Sequence, residues 1–138
     1  MGRPAPTPFT ILVIDDDPGL LALATELLSG AGHRVLVASS GEDALAMVRA
    51  VRIDLILLDY YMPEMNGLEV IQRLKADGAT RRIPVVAVTS GTAEDANKLS
   101  RAGSVGAILK PFEPAEFLRL ITDILNHTVG RRRSEDAR

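Results

Sequence analysis

The chain is 138 residues long, 46% hydrophobic and 25% charged, with a formal net charge of −2. That length buries one domain's core without staples, and the charge offers no general attraction for nucleic acid or a membrane surface. The absence of cysteine excludes disulfides, thiolate catalysis and zinc–thiolate sites, and no apolar run is long enough to span a bilayer.

In chain order, residues 1–8 (MGRPAPTP) carry no signal-peptide hydrophobic segment and read as a stiff, extended arm. A soluble cytoplasmic protein is the expectation. The apolar run Phe9–Ile14 predicts a first strand, stopped by Asp15-Asp16-Asp17-Pro18. Asp17 before Pro18 reads as an N-cap with proline at the first helical position. Leu20, Leu23, Ala24, Leu27 and Leu28 then recur at helical spacing until Gly30 and Gly32. Arg34–Ala38 predicts a short second strand. Ser40 opens a second helix with Asp43 at capping-box spacing and Ala44, Leu45 and Val48 on one face.

Leu55–Leu58 is four consecutive large aliphatics, the habit of a strand buried on both faces in a parallel sheet. Such a strand accommodates an ionised carboxylate only at its end, and Asp59 sits there. Pro63 and Asn66-Gly67 then turn the chain into a third helix carrying Leu68, Val70, Ile71 and Leu74, closed by Asp77-Gly78. Residues 84–88 (PVVAV) form a fourth strand that stops at Thr89-Ser90-Gly91. Thr92 and Asp95 have capping spacing for a helix through Leu99 toward Ala102-Gly103. Val105–Leu109 is the fifth strand, ending at Lys110-Pro111. Phe117, Leu118, Leu120, Ile121, Ile124 and Leu125 make the clearest amphipathic helix. Residues 128–138 read as a disordered tail.

Alternating strand–helix units predict an α/β fold, with a doubly wound five-stranded parallel sheet, right-handed crossovers and helices on both faces. All strand ends then share one edge, where such folds bind ligands. Asp15 and Asp16 end strand one, Asp59 strand three, Thr89 strand four and Lys110 strand five. Singly, each has an ordinary explanation: DDDP as turn and cap, Asp59 as an Asx turn, Thr89-Ser90-Gly91 as a loop, Lys110 as a solvated strand end. Together they place carboxylates, a hydroxyl and an ammonium at one locus. Two like charges at 4 Å repel by about 4 kcal/mol at an effective dielectric of 20, a cost that a divalent cation removes. Oxygen-only ligands favour Mg²⁺ or Mn²⁺ over zinc. A carboxylate is also a competent nucleophile toward phosphorus, and the transferred group needs positive charge and donors around its oxygens.

The segments ILVIDDDP, LILLDYYMPEMNG, VVAVTSG and LKPF, in that order, resemble the response-regulator receiver domain of two-component signalling, closest in architecture to the single-domain chemotaxis type. The resemblance runs from Phe9 to Leu125, with the domain taken as residues 9–127, and implies a flavodoxin-like strand order 2-1-3-4-5. Matched residue by residue, it implies Asp59 as phosphoacceptor, with Asp15 and Asp16 as the acidic pair holding Mg²⁺. By the same resemblance Tyr61 matches the position whose backbone carbonyl completes the metal shell, Thr89 the hydroxyl switch, and Lys110 the family's lysine, followed by a Pro111 normally joined through a cis bond. It also implies a signalling switch rather than an enzyme with its own substrate, one that catalyses only its own phosphoryl uptake and hydrolysis. The phosphoryl group would come from a sensor histidine kinase or a histidine phosphotransfer protein. His33 and His127 read as ordinary surface residues.

Departures from the family pattern shape the expected mechanism. The second switch position, three before the lysine, is usually aromatic and here is Ala107. Any signal is therefore expected through the loop after Thr89 or the helix beyond it. Tyr61 is bulky and Gly91 small at the positions flanking the line of water attack, so Tyr61 is expected to screen the acyl phosphate. Output is expected on the fourth helix–fifth strand–fifth helix face, around Lys98, Arg101 and Val105, and the family analogy offers the same face for a homodimer. Leu20 and Leu21 could meet a phosphodonor's helices, with core packing the plainer reading. Three other classes compete. A haloacid-dehalogenase-like aspartyl-phosphate phosphatase would use Asp15 and Asp17 as D-x-D but leaves Asp59 without purpose. A flavodoxin-like cofactor binder needs a phosphate loop where DDDP would repel phosphate. A pseudo-receiver would not need the intact acidic set. The sequence is read as either a free-standing receiver or one cut from a longer chain.

Overall fold

A computed structural model of the chain describes residues 8–130. Five parallel strands lie in the order β2-β1-β3-β4-β5: β1 (Thr10–Ile14), β2 (Arg34–Ala38), β3 (Leu55–Leu58), β4 (Val85–Thr89) and β5 (Gly106–Leu109). Helices α1 (Pro18–Gly30), α2 (Gly41–Ala50), α3 (Gly67–Ala76), α4 (Ala93–Arg101) and α5 (Pro114–Ile124) make the crossovers. The predicted fold class and strand order both hold.

Alternation along the central strands sorts the core into two layers. Leu12, Ile14, Ile56, Leu58, Val85 and Ala87 face one side, packed with Ala44 of α2, Val70, Ile71 and Leu74 of α3 and Leu99 of α4. Ile11, Val13, Leu55, Leu57, Val86 and Val88 face the other, against Ala24 and Leu28 of α1 and Phe117 and Ile121 of α5. A side-chain period of two makes this unavoidable once both faces are covered. Each fully buried aliphatic contributes roughly 1.5–3 kcal/mol, so a layer of six fixes register firmly. Ile11–Ile14 pairs with Leu55–Leu58 in step, and Val86–Thr89 with Gly106–Leu109.

Helix ends follow the capping residues. Asp17 accepts the Gly19 N–H at 2.9 Å, Ser40 the Asp43 N–H at 3.2 Å and Asn66 the Glu69 N–H at 3.0 Å. At α4 both halves of a capping box close between Thr92 and Asp95.

The C-terminal boundary differs from expectation. Helix α5 continues through a wide π-type turn, Leu125–Val129, and Val129 is fully buried with Leu125 in the α1–α5 layer. Val129 stands alone, four residues past the last periodic position, and the wide turn rotates it inward. The tail therefore cannot begin at residue 128. Its residues 131–138, like residues 1–7 of the arm, lie outside the described region.

Candidate phosphoryl and metal site

The strand ends converge as topology requires. Asp15 follows β1, its backbone N–H bonded to the Ala38 carbonyl, and Asp59 follows β3, its N–H bonded to the Ile14 carbonyl. Both carboxylates are almost fully buried, while Asp16 is exposed. Asp15, Asp16 and Asp59 each present an oxygen within 4.8 Å of the others. Only oxygen donors are in this cluster, and they stand close enough for a single ion to bridge them. This donor set fits a hard divalent cation such as Mg²⁺.

The third strand's exit loop is held close to the site. The Tyr60 N–H donates to Asp59 Oδ1 at 2.9 Å, and the Gly67 N–H to the Tyr60 carbonyl at 2.7 Å. Gly67 lies so tightly on this loop that an added Cβ would stand 2.2 Å from the Asp59 carbonyl oxygen. Glu64 closes the loop with φ of 68°. Tyr61 is half-exposed and borders, with Asp16, Tyr60, Met62, Pro63 and Asn66, a recess of about 440 Å³ beside the carboxylates.

Lys110, which follows β5, donates to Asp15 Oδ2 at 2.7 Å and stands 3.7 Å from Asp59 Oδ1. Its peptide bond to Pro111 is cis. Thr89 is fully buried at the end of β4, and its Oγ1 accepts the Gly91 N–H at 3.1 Å. Burial foremost, and then the neighbouring charge of Asp15, push the Asp59 carboxyl above its usual range. Lys110, the Thr89 hydroxyl and the Tyr60 N–H oppose that rise. A buried carboxylate that these three groups only partly compensate is poised to gain from an added cation.

Asp15, Asp16, Asp59, Tyr61, Thr89 and Lys110 are thus all at one sheet edge. Asp17 belongs to the helix cap: its side chain serves Gly19, and its own N–H donates to Asp15 Oδ1 at 3.0 Å. That occupation leaves the D-x-D reading without its second acid. His33 departs from the surface role expected of it. It is half-buried against the Phe9 ring, Nδ1 accepts the Phe9 N–H at 3.4 Å, and burial lowers its pKa. Ala107 lies exposed on β5. One contact was not foreseen: the Tyr61 hydroxyl donates to Asp95 of α4. Capping spacing pointed to Asp95, but nothing in the spacing links positions 61 and 95.

Comparison with known proteins points the same way. A family model for the response regulator receiver domain matches residues 11–122. The chain is 38% identical over 127 residues to the DNA-binding response regulator MtrA of Mycolicibacterium smegmatis, covering 91% of this chain and 52% of that protein. It spans about half the length of such MtrA relatives. It is 34% identical over 117 residues to protein PilH of Pseudomonas aeruginosa, covering 83% of this chain and 96% of that one. Among solved structures it is similar to the receiver domain of the sensor histidine kinase PA1611 of Pseudomonas aeruginosa, determined with a magnesium ion coordinated in its active-site cleft. That likeness has a TM-score of 0.78 at 28% identity and covers 90% and 99% of the two chains.

Proposed function

This chain belongs to the response regulator receiver family, and from that premise we propose that it is a phosphorylation-dependent switch whose phosphoacceptor is Asp59. The observation that carries the reading is the meeting of Asp15, Asp16, Asp59, Thr89 and Lys110 at one edge of the sheet.

The donor is a phosphohistidine on a sensor kinase or phosphotransfer protein. An Asp59 carboxylate oxygen attacks phosphorus, the P–N bond breaks, and its electron pair returns to the imidazole nitrogen. Water later attacks phosphorus, releasing phosphate and restoring the carboxylate. Asp15, Asp16, Asp59 and the Tyr61 carbonyl would hold Mg²⁺, with Mn²⁺ an acceptable substitute. The ion supplies charge neutralisation for the carboxylates and the incoming phosphoryl oxygens. The similar receiver domain solved with a magnesium ion in its active-site cleft supports the choice of metal. Lys110 faces Asp59 and is placed to meet a phosphoryl oxygen, while the Thr89 hydroxyl is a second donor within the same pocket.

Phosphorylation adds up to about two negative charges at Asp59. It draws Lys110 from Asp15 and Thr89 from Gly91, and the loop after β4 moves with them. A shift from 1% to 99% active requires about 5.5 kcal/mol of differential stabilisation. A few charge-assisted bonds at roughly 1.5–3 kcal/mol each supply it. The output surface is the α4–β5–α5 face, where Val105 and Leu109 are 51% and 53% exposed beside Lys98 and Arg101; a homodimer or a downstream protein would use it. The phosphodonor's helices would meet the largely apolar groove of about 320 Å³ lined by Leu20, Leu23, Ser90, Lys110, Pro111 and Phe112, which opens beside the site. Among the described residues no helix is long and apolar enough to cross a membrane, and the cytoplasm is the proposed location.

Incubation with acetyl phosphate, with and without Mg²⁺, tests this reading by intact mass. A single phosphoryl increment that requires the metal and vanishes in Asp59→Asn supports it; an unchanged mass in the presence of metal overturns it.

A further inference from the structure

Tyr61 leaves the acceptor loop to engage another element. Its hydroxyl donates to Oδ2 of Asp95, in the first turn of α4. The same oxygen accepts the Thr92 N–H at 3.1 Å, and the Asp95 N–H returns to Thr92 Oγ1 at 3.2 Å. The phenol has therefore joined the cap of α4, and Asp95, although on the helix surface by sequence, is buried.

The ring crosses Gly91 on its way. A Cβ at that position would stand 3.1 Å from Tyr61 Cε2 and 2.7 Å from Asp95 Oδ2, so only glycine admits this path. Gly91 in turn gives its N–H to Thr89 Oγ1 at 3.1 Å. A continuous chain of contacts thus links the Thr89 hydroxyl, the Gly91 backbone, the Tyr61 ring and the α4 cap. No residue of β5 takes part. The small, exposed Ala107 offers no ring to carry such a signal.

We propose that the Tyr61–Asp95 hydrogen bond is a latch that holds α4 in its resting position, and that withdrawal of Thr89 from Gly91 on phosphorylation releases it. The inference rests on Asp59 being the phosphoacceptor. Once Thr89 Oγ1 turns to the phosphoryl group, the Gly91 N–H loses its acceptor and the segment beneath the ring shifts toward Asp59. The ring loses its floor and the hydroxyl its line to Asp95. The first turn of α4 is then held by the Thr92–Asp95 pair alone, and the helix is free to move against β5. The Tyr61 hydroxyl, ahead of the Thr92 N–H, holds the Asp95 carboxyl below its ordinary range. Tyr61 is in this account a positioning residue for α4, distinct from its backbone carbonyl's place near the metal.

The test follows the backbone amides of α4 by NMR in the ¹⁵N-labelled full chain, with and without Mg²⁺ plus beryllofluoride. Tyr61→Phe keeps the ring and removes the donor; Asp95→Asn keeps a capping acceptor; Glu94→Gln removes a charge from the same turn. In the unloaded state, Tyr61→Phe and Asp95→Asn are expected to move the amides of residues 92–96 toward their positions in the loaded parent. Hydrogen exchange there should quicken roughly three- to tenfold. Exchange in β1 and β3 should stay as in the parent, which separates release of the latch from loss of fold, and Glu94→Gln should resemble the parent. Superposition of unloaded Tyr61→Phe on the parent across α4, while the parent's own α4 shifts on loading, overturns the latch alone. The same follows if Glu94→Gln reproduces the effect of Asp95→Asn. A parent that shows no beryllofluoride-dependent change around Asp59 overturns the phosphoacceptor reading, and the latch's release with it.

Discussion

Lys110 donates to Oδ2 of Asp15 at 2.7 Å, across 95 positions of chain, and stands a further ångström from Asp59. The resting site thus already holds a cation, and it is paired mainly with a carboxylate assigned to the metal. Two positive charges in so small a space repel by a few kcal/mol at the dielectric of a partly buried site. Lys110→Met, which keeps the stem and removes the charge, should therefore bind Mg²⁺ about tenfold more tightly, by calorimetry. Weaker binding would show that Lys110 organises the acidic cluster rather than competing for it.

Asp59 sits above its ordinary carboxylate range because it is buried, and next because Asp15 is charged. A raised value means that the folded chain holds this proton more tightly than the unfolded chain does. Its contribution to stability is complete below the ordinary value of 3.8 and is lost as pH rises through the raised one. In metal-free buffer at neutral pH, Asp59→Asn should unfold several degrees higher than the parent. Mg²⁺ should raise the parent's melting temperature and leave the variant's nearly unchanged. A less stable Asp59→Asn would contradict this electrostatic account.

Gly67 begins α3 with no room for a side chain, since a Cβ would meet the Asp59 carbonyl oxygen at 2.2 Å and Tyr60 Cα at 2.9 Å. Both contacts are backbone, so no rotamer relieves them. Gly67→Ala should cost about 3 kcal/mol or more in chemical denaturation and slow phosphoryl uptake by displacing the acceptor loop. A fully stable variant would mean that the loop yields where its hydrogen bonds say it does not.

Tyr61 walls the recess beside Asp16 and the acceptor loop. If that wall limits the approach of water to the acyl phosphate, Tyr61→Ala should lose label several-fold faster than the parent after removal of the donor. Loss at the parent's rate would assign the ring to α4 alone.

The sheet and the polar strand ends are legible because each rests on a local signal, whereas the strand order follows from the resemblance to the receiver family. Leu55–Leu58 is apolar without interruption, and Asp59 follows it with nowhere else to go. Asp15, Thr89 and Lys110 stand in the same relation to their own strands, so parallel topology unites them. What escaped was set by contacts between loops. No periodicity links Tyr61 to Asp95, because the bond depends on the path of the ring over Gly91. The pairing of Lys110 with Asp15 ahead of Asp59 depends on a difference of 1.0 Å between two distances. Val129 falls outside the amphipathic pattern because a π-type turn shifts the helical phase just where that pattern ends. Nothing in the sequence pattern marks the buried Asp54, whose Oδ2 accepts the Thr10 N–H at 2.8 Å. The smallness of Gly91 is plain in the sequence, but its place beneath the Tyr61 ring depends on the fold of two separate loops.

The most direct measurement is the location of the acyl phosphate. After phosphorylation by acetyl phosphate with Mg²⁺, borohydride reduction converts a phosphorylated aspartate to homoserine, and peptide mass spectrometry reads the position. Homoserine at residue 59, absent without the metal and absent in Asp16→Asn, is the predicted result. Homoserine at residue 15 or 16 instead, or none at any aspartate when metal and donor are both present, would contradict it.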